Sequence, residues 1–284
     1  MRPVFRPRLP EEPVSRLAIW SRWMAIFSIA VLLLALIIVR SGFLENLPSL
    51  VTLAAALGLA LVAVVLAISA FVVIWNNGNR GLGLAVTALF IGLAMLAYPG
   101  YLTVLYFRLP AINDVTTDPM DPPRFDAVAR LRPRDANSIA YPGIKMAELQ
   151  RAAYPSVEPL MLSASPQEVY EVVLAIINKR KWRVVDARAP QGGRREGRIE
   201  AVARTLIMGF RDDVAIRIRP GNDEVRVDFR SASRYGLHDF GANASRIIRL
   251  AEDIDDAFDT DNPRRLLAAK PVKTGINLKG PQKK

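Results

Sequence analysis

Arg217 and Arg226 pose the first chemical question in this chain of 284 residues. Val214, Ile216 and Ile218 alternate with polar partners, and Val225, Val227 and Phe229 resume the alternation after Pro220-Gly221-Asn222-Asp223. That pattern predicts a β-hairpin. If residues 220 to 223 close it, Arg219 lies opposite Glu224, Arg217 opposite Arg226 and Asp213 opposite Arg230, all on one face, with Asp228 diagonal to Arg217. Opposite charges across a strand pair contribute roughly 0.2–1 kcal/mol, whereas like charges directly opposite destabilise it. The facing arginines therefore need either acids of the fold, such as Asp228, or a bound anion. The second option makes Arg217, Arg226, Arg230, Arg234 and Asn243 a candidate anion site.

Bond-breaking chemistry has thinner material. Asp212, His238, Asp239 and Asn243, with Arg234, are the polar groups a hydrolase would have to converge in one cleft. His238 is the single histidine and lies in the Gly236–Asp239 turn. No serine or cysteine stands in a recognisable nucleophile arrangement beside it. Asp212 and Asp213 are adjacent in an expected strand and point to opposite faces. Asp114, Asp118 and Asp121, with Thr116 and Thr117, form an oxygen-rich block that lacks the spacing and turn glycine of a calcium loop. Turn and capping roles suit it better, and neither a metal nor a cofactor is expected.

The remaining polar residues read as fasteners. Asp239 can cap a final helix through nearby free amides, and Gly236 and Gly241 permit a tight approach to it. Asn243 falls on the apolar stripe of that helix, where burial without hydrogen bonds costs a few kcal/mol. Asn243 and Arg246 are therefore expected to bond to the Ser231–Arg234 backbone. Asp213, Ser231, Ser233, Gly236, Asp239, Gly241 and Arg246 make up this structural set.

Three separated blocks carry a family resemblance. They are Ile112-Asn113-Asp114-Val115-Thr116-Thr117-Asp118 with Asp121-Pro122-Pro123 and Phe125, Gly209-Phe210-Arg211-Asp212-Asp213-Val214, and Arg230-Ser231-Ala232-Ser233-Arg234-Tyr235-Gly236 with Asp239-Phe240-Gly241-Ala242-Asn243 and Arg246-Ile247. Together they resemble the membrane-anchored members of the DUF1499 family. Similar members often carry histidine where this chain has Asn113, so no role resting on that histidine transfers. The family is one of unknown function, and the resemblance implies no activity.

The elements that must position these residues divide sharply along the chain. Leu17–Val39, Leu50–Trp75 and Leu82–Phe107 are apolar all round and long enough to cross a hydrocarbon core about 30 Å thick. Arg22 is the one charge inside them. No embedded carboxylate, histidine or lysine offers an ion pathway, which argues against a transporter. Small residues at Ala56, Ala60, Ala63 and Ala67, and at Gly81, Ala85, Ala88 and Gly92, suit close packing of these helices, with homo-oligomer contacts as the alternative. Four arginines precede the first span and Arg22 lies near its start, and acids follow the third. The positive-inside rule then puts residues 1–16 in the cytoplasm and the C-terminal domain in the periplasm, across a bacterial inner membrane.

The net charge is +11, and the chain has no cysteine. Acids and bases interleave until the tail, so no nucleic-acid partner is expected. Residues 108–155 carry seven prolines and read as an extended connection. Residues 156–260 read as strand, helix, four strands and helix, an α+β domain with an antiparallel sheet packed on two helices. Residues 261–284 form a basic tail that can rest on anionic lipid. The function expected is a membrane-tethered, non-enzymatic binding or interaction module, with anionic lipid or a membrane protein as partner. A carrier of lipid or a small apolar ligand, and a hydrolase, are the alternatives.

Overall fold

The computed structural model describes residues 12–41, 46–191, 196–205 and 208–259. The tail 261–284 and most of the N-terminal segment lie outside the described residues. The described chain divides into two compact units, one holding the apolar helices and the other residues 112–203 and 211–259.

The membrane unit consists of α1 (Arg16–Ser41), α2 (Asn46–Asn77) and α3 (Leu82–Arg108). Their mean hydropathies of 2.5, 3.0 and 2.0 mark all three as membrane spans. The small residues form the seams between them. Ala25, Ala63, Ala67 and Ala88 pack in one cluster, and Ala18, Ala70 and Ala85 in another. Gly92 sits so near α2 that an added Cβ would run into Val64. Lipid offers no hydrophobic drive between helices, so this close approach is what dispersion needs. Pro99 lies inside α3, which continues through it. The amide of Ser15 donates to the Arg80 carbonyl at 2.9 Å, and that of Arg80 to the Pro13 carbonyl at 3.1 Å, tying the start of the bundle to the α2–α3 turn.

The second unit is a six-stranded sheet. Its strands are β1 (Asp114–Thr116), β2 (Leu160–Leu162), β3 (Arg183–Arg188), β4 (Gly197–Arg204), β5 (Arg211–Pro220) and β6 (Val225–Ser233). The order is β1-β6-β5-β4-β3, and β2 pairs with the same edge of β6 as β1 does. The pairings β1–β6, β2–β6, β3–β4 and β5–β6 are antiparallel. Two helices, α5 (Pro166–Lys179) and α6 (Ala242–Phe258), pack on one face. The Ser165 hydroxyl caps α5 by accepting the Glu168 amide at 3.2 Å, and Pro166 supplies the fixed φ of the first turn. Val169, Val173 and Ile177 of α5 and Ile247, Leu250 and Ile254 of α6 meet Val214, Ile216, Ile218, Val227 and Phe229 in the main core.

The segment between Asp114 and Tyr154 corrects the expectation of a mere connection over 108–155. It contains β1, a short 3-10 helix at Val128–Leu131 and α4 (Ile144–Ala153), and the compact unit begins at Ile112 rather than at residue 156. A three-residue strand is too short to show alternation, and flanking prolines hide α4. The outer edge of β1 is held by a side chain. Gln150 of α4 accepts the Thr116 amide at 3.0 Å and donates to the Thr116 carbonyl at 2.7 Å.

The hairpin register also differs from expectation. Pro220 pairs with Val225, so residues 221 to 224 form the turn. Arg219 therefore faces Arg226, Arg217 faces Asp228, Ala215 faces Arg230, and Asp213 faces Ala232. A shift of two residues keeps every side chain on its expected face and changes every partner. A Cβ on Gly221 would run into the Glu224 carbonyl, which explains the glycine at the tight turn.

Candidate functional site

The face of β5–β6 away from the helices is ionic. Asp213, Arg217 and Arg219 of β5 share it with Arg226, Asp228, Arg230 and Arg234, the last just past β6. Residues 117–141 run across it and supply the matching charges. Phe125 and Val128 pack on Val202, Ala215 and Ala232 to form a second, small core. Glu200 pins the 3-10 helix by accepting the amides of Asp126, Ala127 and Val128 at 2.9–3.1 Å.

Arg230 and Asp114 make a two-pronged bridge at 3.0 and 2.6 Å, both side chains buried. The guanidinium also donates to the carbonyls of Pro123 and Ile139 and lies 4.5 Å from the Phe125 ring centre. Burial, the largest influence, pushes the Asp114 carboxyl above its ordinary range against the pull of Arg230. Asp213 takes Arg234 on one oxygen at 2.7 Å and Arg132 on the other at 2.6 Å. Sequence reasoning missed Arg132, because nothing in the pattern 128–134 marks it.

Near the hairpin turn, three guanidinium groups converge on one carboxylate oxygen. Asp118 Oδ2 accepts from Arg219 at 2.7 Å, Arg226 at 3.1 Å and Arg217 at 3.2 Å. Asp228 pairs with the same three arginines, at 2.6 Å from Arg219 and 2.8 Å from Arg226. Asp121 pairs with Arg217 at 2.8 Å. Burial raises the Asp118 pKa, but the Arg219 hydrogen bond, the Asp121 amide and the nearby arginine charges together hold it below the ordinary 3.8. Exposure separates the arginines: the side chains of Arg217, Arg230 and Arg234 are 3–5% exposed, those of Arg219 and Arg226 31% and 38%. Of these five, only the second pair is partly open to solvent. The acidic block weighed for calcium is thus turned onto arginines. Among the described residues no group of three or more His, Cys, Asp or Glu side chains could hold a metal ion.

The opposite, helix-side face carries a second polar cluster. Asn243 is fully buried, accepts the Ser231 hydroxyl at 2.7 Å and Arg246 at 2.6 Å, and donates to Ser233 Oγ at 2.9 Å. Arg246 also binds Ser231 Oγ and pairs with Asp212. The anchoring of α6 to the sheet therefore runs through the hydroxyls of Ser231 and Ser233, and not through the Ser231–Arg234 backbone as expected. Asn113 completes it, receiving Asn243 at 3.2 Å on its carbonyl and donating its amide to the Gly236 carbonyl at 2.8 Å. Asp239 accepts the amides of Gly241 and Asn243 at 2.9 Å each. Gly236 and Gly241 both have φ near +80°, a region L side chains avoid.

Four of the five hydrolase candidates lie in or beside this cluster, each already bonded, and the fifth, Arg234, is on the ionic face, bound to Asp213. His238 Nδ1 accepts the Phe240 amide at 2.9 Å, and its ring stacks on Phe240. Burial pushes both Asp212 and Asp239 above the usual carboxylate range, with Arg246 opposing for Asp212 and the Asn243 amide for Asp239. Beneath α6, where an apolar carrier would need space, Ile247, Leu250 and Ile254 are packed against the sheet.

No curated protein matches the chain. Residues 114–254 match the family model described as a protein of unknown function, DUF1499, and span both polar clusters. The sheet-and-helix unit of this chain belongs to the DUF1499 family, carried here behind three membrane-spanning helices.

Proposed function

We propose that this protein is a non-enzymatic binding module, tethered to a bacterial inner membrane with its folded unit in the periplasm, and that it recognises anionic groups. The observation behind the reading is the convergence of Arg217, Arg219 and Arg226 on one oxygen of Asp118, with the last two arginines partly open to solvent. A carboxylate held by three cations stands where a phosphate oxygen would stand, and guanidinium forks suit such oxygens. Arg230 and Arg234 are buried on the same face and Asn243 on the opposite one, and none of the three reaches solvent. Charge placement before α1 and after α3 supports the periplasmic orientation.

The test uses the full-length protein in neutral nanodiscs. Inorganic phosphate should bind saturably, and Arg219→Gln with Arg226→Gln should weaken it at least about tenfold. Nanodiscs containing phosphatidylglycerol should compete with phosphate if a headgroup is the natural anion. Indifference of the wild type to both anions would remove the reading. Native mass spectrometry of the same sample reports any co-purified lipid, membrane protein or second copy.

A further inference from the structure

The hairpin rim is electrically neutral as it stands. The guanidinium groups of Arg217, Arg219 and Arg226 are bonded to three carboxylates, those of Asp118, Asp121 and Asp228. These acids are held in two different ways. Asp228 belongs to β6, and its side chain is fully buried. Asp118 and Asp121 come from residues 118–122, none of which is buried, and Met120 between them is 86% exposed. The chain is fixed on either side of this stretch. The Thr117 amide donates to the Phe229 carbonyl at 2.9 Å, and buried Arg230 donates to the Pro123 carbonyl at 3.2 Å. Between these points arginines do the fastening, since Arg217 also donates to the Asp121 carbonyl at 2.7 Å. Charge-assisted bonds of this kind can pass from one anion to another. A buried apolar side chain could not be withdrawn without a hydrophobic cost, and this stretch has none.

Lifting residues 118–122 removes two carboxylates and leaves Asp228 against three arginines, two of them already partly open to solvent. The uncovered rim then carries two positive charges in excess over its bonded acids. A phosphate monoester carries about two negative charges near neutral pH, and a diester about one. We infer that residues 118–122 are a displaceable strap, and that the anion displacing it is a phosphate monoester taken by Arg219 and Arg226 in place of Asp118 and Asp121. The inference rests on the anion recognition proposed for this rim, and adds its ligand class and its gate. A closed strap lowers apparent affinity by the fraction of molecules it keeps shut, so weakening the strap raises affinity.

Calorimetric titration of the full-length protein in neutral nanodiscs tests it, with glycerol phosphate as the monoester and dimethyl phosphate as the diester. Glycerol phosphate should bind at least about tenfold more tightly than dimethyl phosphate. Asp118→Asn and Asp121→Asn should each tighten glycerol phosphate by about fivefold, whereas a purely structural acid would give no gain. The Asp118 amide now donates to Thr116 Oγ1 and the Asp121 amide to Asp118 Oδ1. Hydrogen exchange at both amides should quicken when the monoester binds. Equal affinity in wild type and both variants, with unchanged exchange, overturns the strap and leaves anion recognition standing. Equal affinity for the two esters overturns the ligand class. Absence of binding to wild type and variants alike removes the recognition itself.

Discussion

Arg219 and Arg226 stand directly opposite each other across the β5–β6 ladder, and both reach the carboxylates of Asp118 and Asp228. A like-charge cross-strand pair is destabilising alone. Here Asp228 comes from the ladder itself and Asp118 from a segment about a hundred residues earlier in the chain. The repulsion is thus converted into a clamp that holds residues 117–121 on the sheet.

Asp118→Asn should loosen this clamp. The variant leaves three guanidinium groups with one fewer charge and should lose about 1–2 kcal/mol near neutral pH. The folded pKa of Asp118 lies below its unfolded value of 3.8, so its contribution is complete above that value and disappears as pH falls through the folded pKa. Urea melts of wild type and variant should therefore differ at pH 7 and converge toward pH 3. Parallel curves at all pH values would remove the carboxylate charge as the cause.

Asp239 should behave with the opposite sign. Burial raises its pKa, so the folded state holds the proton more tightly than the unfolded chain does. Stability contributed by protonated Asp239 is present below 3.8 and is lost as pH rises through the higher folded pKa. Asp239→Asn should flatten the downward slope of stability that begins just above 3.8. An unchanged slope in pH-resolved melts would refute this.

Asn243→Ala should be among the most damaging single changes in the folded unit. It removes one buried hydrogen bond each from Ser231, Ser233 and Arg246, and each such bond contributes about 0.5–1.5 kcal/mol, the one to the charged Arg246 more. Hydrogen exchange should quicken first at the start of α6. Exchange protection equal to wild type there would show that the cluster is not what docks the helix.

Gly92→Leu should disrupt the membrane unit alone. The new side chain enters the space of Val64, and overpacking of this kind costs about 1–3 kcal/mol. Pairing it with Val64→Ala should restore much of the loss in a detergent melting experiment. Failure of the double variant to recover would place the strain elsewhere.

Reporter fusions give the orientation. A periplasm-active reporter after residue 259 should be active, and a cytoplasm-active one at the same place silent. The reverse pattern would put the folded unit on the cytoplasmic side.

The apolar spans, α5, α6 and the hairpin were legible because their periodicities are long enough to count. The face of the hairpin was read correctly from local chemistry. The hairpin register was not, since Pro220 can occupy either the turn or the strand end and the charges on both sides are abundant. β1 and α4 were missed because their stabilising contacts are distant: Thr116 bonds Gln150, and Asp114 bonds Arg230. Asp118 was visible as an acid but not as an arginine ligand, a role that only the chain's return over the sheet creates. Glu200, an acid between Ile199 and Ala201 in β4, was a signal available and unused.

The amide of Gln150 imitates a neighbouring strand and occupies the donor and acceptor that Thr116 would otherwise offer outward. Exposed ladder groups are templates for recruiting another polypeptide. Proteins confined to a bilayer meet their own copies at high local density, so an unguarded border there invites polymerisation. A single glutamine thus leaves neither the amide nor the carbonyl of Thr116 free for a further strand.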